Sequence, residues 1–366
     1  MKILFVVPYP LGTAPGQRFR FEYFFPLFKK EGINFKVHAF VSPRLYKILY
    51  KHGHIMEKIF YVCKGFIFRL WTILSASGYD VIYIFREAFP FGPPFFEKIL
   101  STFGKPMIFD FDDAIYLPSI SKVNKYVSFF KNASKTSRII NMSSCVLAGN
   151  KNLAEYASRY NNNVIIFPTV IDTVNYTVKN DYFAKAAICV GWTGSYSTIE
   201  HLNLLIGVLK KIYDKYRVKI KIVGSAEFSI DGVNVDAKEW SALTEIDDLK
   251  QMDIGIMPLP DDEWSRGKCG LKALQYMALG IPAVCSPVGV NSDIIEDGVN
   301  GFLAASEKEW VDKLSLLIEN PQLRRSLGQN GRITVESRYS VEAQAPVFLE
   351  VIASFKKKEI SNVSHI

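Results

Sequence analysis

Three cations crowd one short stretch of this chain. Arg266, Lys268 and Lys272 stand around Gly270, where the spacing predicts the start of a short helix, Leu271 to Leu279, closed by Gly280 and Pro282. The first turn of a helix already carries about half a positive charge, so cations gathered there need an anion. The backbone N–H groups of Gly270 and Leu271 point the same way as these side chains. Donors, dipole and cations together make a cradle for phosphate. The competing reading is a solvated loop whose charges are met by Asp261, Asp262 and Glu263. A second turn, Gly191-Trp-Thr-Gly194-Ser195, follows a predicted strand and offers backbone that a ligand can approach closely, although tight turns in α/β proteins use glycine anyway.

The elements that must hold these residues alternate along the chain. Apolar runs at 3–7, 35–40, 81–85, 107–111, 145–148 and 164–167 read as buried strands separated by helical segments, one of them Gln17 to Lys30. After a polar stretch from Asp172 to Lys185, read as a linker, the pattern restarts with strands at 187–191, 219–223, 233–235, 254–257, 283–285 and 301–303. The last helices are Glu307 to Glu319, Pro321 to Glu336 and Val341 to Phe355. Alternation of this kind predicts parallel sheets covered on both faces, and two successive series predict two doubly wound α/β domains, residues 1–175 and 176–340, with a polar tail at 356–366. Ligands of such sheets bind beyond the carboxyl ends of the strands, so the cleft between the domains is the expected site. The loop carrying Arg266 to Lys272 follows the strand at 254–257 and opens at that edge.

Composition narrows the class. The chain has 366 residues, 49% hydrophobic and 22% charged, which describes a well-cored globular protein. No unbroken apolar run is long enough to span a membrane, and the start, Met1 to Pro8, reads as a first strand rather than a signal peptide. Five scattered cysteines fit a reducing compartment, so the cytoplasm is expected. The five histidines show no metal spacing, and no Gly-x-Ser-x-Gly, Walker loop or His-Glu-x-x-His occurs. The net charge of +8 points to an anionic partner. Part of it lies between Ser42 and Ser75, where six Lys or Arg and one Glu are mixed with aromatic and aliphatic residues. That mixture suits a helix lying on an anionic membrane; the alternative is an ordinary packed helix with a wet basic side. No nucleic-acid recognition module is present.

The block from Lys268 to Val284 (KCGLKALQYMALGIPAV), followed by Asp297 to Leu303 (DGVNGFL), resembles the donor-binding region of family 4 glycosyltransferases of the GT-B fold. Pro168 to Asp172 (PTVID) and Asp248 to Pro258 (DLKQMDIGIMP) are similar to that family's turn before the linker and its preceding helix and strand. The resemblance implies two Rossmann-like domains facing a cleft, with the C-terminal helix at 341–355 returning to the first. It also implies a nucleotide-diphosphate sugar held mainly by the second domain, and retention of anomeric configuration. The family usually carries two glutamates in this block; here Gly267 and Gln275 stand in their places, and the resemblance gives Gln275 the donor ribose. The family's Arg and Lys after the first strand of the second domain are replaced by Tyr196, Ser197 and Thr198, which leaves the diphosphate to Arg266, Lys268 and Lys272.

In the first domain, Gly12 to Arg20 resembles the family's loop over the donor phosphates, with Gly16 giving backbone access and Arg18 or Arg20 adding charge. Asp110 to Asp113 ends a strand where carboxylates are costly unless solvated, paired or used. Many relatives have a histidine near this place, so Asp112 becomes the candidate to position or deprotonate an acceptor hydroxyl. Its rival roles are a helix cap or an ion pair with Arg86. The expected activity is sugar transfer from a nucleotide-diphosphate sugar to an acceptor hydroxyl, in cell-envelope or surface polysaccharide or glycolipid synthesis, without a metal or other cofactor. The acceptor is expected to be a carbohydrate or lipid-linked, and the protein to sit peripherally on the inner face of the cytoplasmic membrane. A sugar-nucleotide epimerase of the same fold, or a non-catalytic sugar-nucleotide-binding protein, are the alternatives.

Overall fold

The computed structural model describes residues 1–363 apart from 50, 52, 118–133, 180, 184–186 and 196–197, with side chains to residue 355. Most strands form where the sequence is largely apolar, while β2 and β9 at the sheet edges, and β8, carry polar residues between the apolar ones. In the first unit, β1 (Lys2–Val7), β2 (Asn34–Ala39), β3 (Val81–Phe85), β4 (Met107–Phe111), β5 (Cys145–Ala148) and β6 (Val164–Ile166) make a sheet in the order β2-β1-β3-β4-β5-β6, with every pair parallel. β3, β4 and β5 are buried along their whole length, as a parallel sheet covered on both faces requires. In the second unit, β7 (Cys189–Thr193), β8 (Lys219–Val223), β9 (Val235–Lys238), β10 (Ile254–Met257), β11 (Ala283–Cys285) and β12 (Phe302–Leu303) pair in parallel in the order β12-β11-β10-β7-β8-β9. Each order reverses direction once, between β1 and β3 in one sheet and between β7 and β10 in the other. The loops leaving the carboxyl ends of those strands are where such sheets place ligands.

Contacts divide the chain into Met1–Pro168 with Gln344–Ile366, and Thr169–Ala343. The stretch from Asp172 to Lys185, read as a linker, is instead packed on the second unit where it is described. The Lys179 ammonium lies 2.9 Å from Asp253 Oδ1, the Tyr182 hydroxyl donates to the Gly280 carbonyl at 2.8 Å, and Tyr176 is buried. A polar sequence can be ordered in this way when each polar group finds a partner, which composition does not show.

Three helices bear on the site, the surface and the join between sequence ends: α1 (Ile55–Ala76), α2 (Leu271–Ala278) and α3 (Val341–Val363). From Gln344 onward α3 belongs to the first unit. Its Phe348 is fully buried, with ring centroids 5.0 Å from Phe24, 5.1 Å from Phe167, 5.2 Å from Phe28 and 5.9 Å from Tyr83. The helix predicted from Gln17 to Lys30 is broken into Pro15–Arg18, a tight turn Glu22–Phe24 and Phe25–Lys30. Pro26 has no N–H to continue an upstream helix, and the Gln17 amide is spent on the backbone of Tyr9, from which it accepts at 2.8 Å and to which it donates at 3.0 Å. By length and composition α1 is apolar enough to cross a membrane. The sequence hides this because Lys64 and Arg69 interrupt the run.

Candidate functional site

In the second unit the site starts from Gly270. Its φ of +69° places it in the left-handed region, and a Cβ there would fall 2.3 Å from Ile294 Cδ1, so both backbone and space demand glycine. It stands before α2 without a side-chain cap, so no side chain of its own meets the amides of the first turn. The hydroxyl of Tyr276 on α2 accepts from the Thr193 N–H at 2.9 Å and so ties this helix to the end of β7. One turn earlier, Lys272 sits with its ammonium 5.5 Å from the ring centroid of Trp192. Lys268 sits 4.9 Å over Trp264. A residue that the sequence did not single out, His201, feels both charges. Its pKa is lowered by burial, then by Lys272 and Lys268, which places all three groups in one electrostatic neighbourhood. A histidine on a separate helical turn, 67 residues before Lys268, gives no spacing signal in sequence.

The other predicted donor contacts fare differently. Arg266 is exposed and ion-pairs with Asp261 at 2.8 Å, while Asp262 caps the helix Glu263–Arg266 by accepting from Ser265 N–H at 2.7 Å. The loop therefore offsets part of its own charge, as the rival reading held, and the cradle rests on Lys268 and Lys272. Gly194 has a packing reason to be glycine: a Cβ would lie 2.4 Å from the Trp192 ring, and its N–H is given to the Val223 carbonyl at 2.9 Å. Ser195 is exposed, and its N–H is directed at the Thr198 hydroxyl at 3.3 Å. Tyr196 and Ser197 lie outside the described residues. Gln275 is buried and donates to the Tyr176 hydroxyl at 2.9 Å; that hydroxyl in turn donates to Glu245 at 3.2 Å. The expected ribose contact is corrected to this extent: the Gln275 amide nitrogen is engaged inside the unit. Gly267, standing where the family's first acid would be, is buried after the short helix. Leu271 opens α2 and is half-buried.

In the first unit the loop after β1 is held in place by two side chains. Gln17 binds Tyr9 as above, and Glu22 accepts from the Gly12 N–H at 2.8 Å. Burial raises the Glu22 pKa, opposed by that N–H, by Gln17 and by Arg18. At Gly16 a Cβ would lie 2.8 Å from Asp112 Oδ2 and 3.2 Å from Arg86 Nη2, so the glycine backbone rests directly on that pair. Arg86 donates to Asp112 at 2.7 Å and has a φ of +58°, an uncommon backbone for arginine. Three loops, after β1, β3 and β4, thus meet at Gly16, Arg86 and Asp112. The ion-pair reading of Asp112 holds, and the pair lies at the carboxyl edge where a ligand would sit. Arg18 has its guanidinium 5.0 Å over Phe19. Arg20, the other candidate cation, is excluded: it is fully buried, ion-paired to Asp110 at 2.5 Å, and bonded to the Phe167 carbonyl. Asp110 also accepts from Tyr83, and burial raises its pKa against the pull of Arg20. That carboxylate is structural. Among the described residues no group of three or more His, Cys, Asp or Glu is arranged to hold a metal.

Residues 187–320, all within the second unit, match the family model described as Glycosyl transferases group 1. Among curated proteins, the capsular polysaccharide biosynthesis glycosyltransferase CapM of Staphylococcus aureus is 25% identical over 167 residues, 41% of this chain and 42% of that protein. The aligned region spans less than half the length of this relative. Among solved structures, HepE of Anabaena in complex with UDP and glucose superposes with a TM-score of 0.66 at 16% identity, over 97% of this chain and 100% of that one. Sucrose-phosphate synthase of Thermosynechococcus elongatus gives a TM-score of 0.67 at 13% identity, with the same coverage. The fold is that of these two-domain glycosyltransferases.

Proposed function

We propose that the protein is a glycosyltransferase that moves a sugar from a nucleotide-diphosphate donor, held by the second unit, to an acceptor hydroxyl. The observation that carries this reading is the placing of Lys268 and Lys272 about an uncapped helix start at the switch point of the second sheet. Negative charge grows on the departing diphosphate as the glycosidic bond to the donor breaks. Fixed ammonium groups and first-turn amides stabilise that charge, which is usually the largest catalytic contribution a protein makes. Because lysines supply the cations, the scheme calls for no metal. Asp112, oriented by Arg86, is the group assigned to the acceptor hydroxyl, and retention of configuration is proposed from the resemblance of the donor block.

Support for a nucleotide sugar comes from the match to the group 1 family model and from the solved relative that holds UDP and glucose. A role in surface polysaccharide or glycolipid assembly is proposed from CapM, and a cytoplasmic, membrane-peripheral location from the basic, apolar stretch of the first unit. Turnover with a panel of nucleotide sugars tests the reaction, and calorimetry tests the site. Lys272→Ala is expected to weaken nucleoside diphosphate binding by about 1.5–3 kcal/mol, the scale of a hydrogen bond to a charged group. Unchanged affinity in that variant overturns the phosphate role.

A further inference from the structure

Helix α1 is packed the wrong way round for a crossover helix. Such helices bury their large apolar residues against the sheet and show polar residues to water. Here the buried stripe is Gly65, Arg69, Thr72 and Ala76, spaced at helical intervals. Gly65 lets the backbone press against β2's end, since a Cβ would lie 2.8 Å from both the ring and the carbonyl of Phe40. Arg69 is sealed inside and donates to the carbonyls of Val7 at 2.5 Å, His38 at 2.6 Å and Ala88 at 2.6 Å. The opposite stripe carries the bulk: Met56, Phe60, Ile67 and Leu74 are between 63% and 79% exposed. Trp71 continues it at 45% exposure, with the Lys36 ammonium 5.7 Å from its ring centroid. A row of this length, roughly 30 Å on a helix of this size, is far beyond the scattered apolar residues of a monomer surface.

We infer that α1 lies flat in the interface of an anionic lipid bilayer, with the Met56–Leu74 stripe among the acyl chains. The inference rests on and deepens the membrane-peripheral location in the proposed function. Charge chooses the occupant. Of the six cations between residues 42 and 75, Arg69 is buried, Lys58 is half-buried against the Lys51 carbonyl, and Arg44, Lys47, Lys51 and Lys64 are exposed. The single acid, Glu57, is taken by Arg44 at 2.7 Å and His54 at 3.2 Å. A second copy of this face would bring like charges together, whereas anionic headgroups complement them. The helix lies along the bilayer rather than across it. It joins β2 to β3, both paired to β1 in one sheet, and a span would strip Arg69 from its three carbonyls.

The test is sedimentation of the full chain with vesicles of phosphatidylglycerol and phosphatidylcholine, against phosphatidylcholine alone, with sedimentation velocity run without lipid. Wild-type protein is expected to pellet with the anionic vesicles only, with a blue shift in tryptophan fluorescence that Trp71→Phe removes. Phe60→Ser with Ile67→Ser changes only exposed positions and is expected to lower partitioning at least tenfold. Lys47→Gln, Lys51→Gln and Lys64→Gln are expected to cost about fivefold each. Nucleoside diphosphate affinity, measured on the same samples, should not move in these variants. Two results overturn the inference: wild-type protein that stays in the supernatant with anionic vesicles at low salt, or a dimer abolished by Phe60→Ser with Ile67→Ser. Vesicle binding by a protein with no affinity for nucleoside diphosphates keeps this inference and overturns the transfer reading instead.

Discussion

A lysine that meets a histidine depresses that histidine's proton affinity, and an anion arriving beside both restores it. This makes His201 a reporter of the cradle. In the free protein its pKa is held down by burial and by Lys272 and Lys268. Its contribution to stability is therefore present above the ordinary histidine value of about 6.5 and is lost as pH falls below it. Binding a diphosphate has the opposite sign. The added negative charge raises the His201 pKa, so the complex takes up a proton and affinity strengthens as pH falls through the window below about 6.5. Calorimetry near pH 6 in buffers of different ionisation enthalpy should show proton uptake by the wild type and none by His201→Gln. At this scale the sequence was readable only in part. Lys268 and Lys272 stand out because they crowd a predicted helix start, whereas Arg20 looked equally available. It proves to be sealed against Asp110, since the carboxylate that takes it is 90 residues away. The engagement of the Gln275 amide nitrogen was hidden for a similar reason, its partner Tyr176 lying 99 residues earlier.

Elements were the most legible level, because hydrophobic period is a local property. β3, β4, β5, β8, β10 and β11 fall at the bounds that the hydrophobic pattern predicts. The errors came where side chains override the local pattern, as Gln17 does in breaking the first helix and Lys179 and Tyr182 do in ordering the presumed linker. Helix α2 shows how one position controls an element. Gly270 holds a left-handed backbone in a gap that Ile294 closes, and it sets the direction in which the first-turn amides point. Gly270→Ala adds both backbone strain and a methyl without room, together about 2–4 kcal/mol. The expected outcome is a lower thermal midpoint and a loss of nucleoside diphosphate affinity larger than that of Lys272→Ala, because every amide at that turn is displaced. Fluorescence-monitored melting and calorimetry on one preparation check both halves.

At the scale of the whole molecule, the chain leaves the first unit at Pro168 and comes back to it at Gln344, so its last helix completes a core begun by its first strands. The helical pattern alone does not show where the C-terminal helix goes; the family resemblance implied its return to the first domain, and aromatic packing between distant segments holds it there. Phe348 is that destination's anchor. It is fully buried among Phe24, Phe28, Tyr83 and Phe167, which come from three separate segments of the first unit. Replacing it with alanine removes a ring that touches all of them and leaves a cavity that a closed β-sheet face cannot refill. A buried Phe→Ala change costs about 3–5 kcal/mol, a large share of the stability of an ordinary domain. Phe348→Ala should therefore lower the unfolding midpoint in urea, while Phe348→Leu, which keeps most of the volume, should recover most of the loss. The contrast isolates packing from any effect of changing the helix itself. If alanine and leucine lower the midpoint equally, the anchor is not the ring. If neither lowers it, the return of α3 contributes nothing to holding the first unit together.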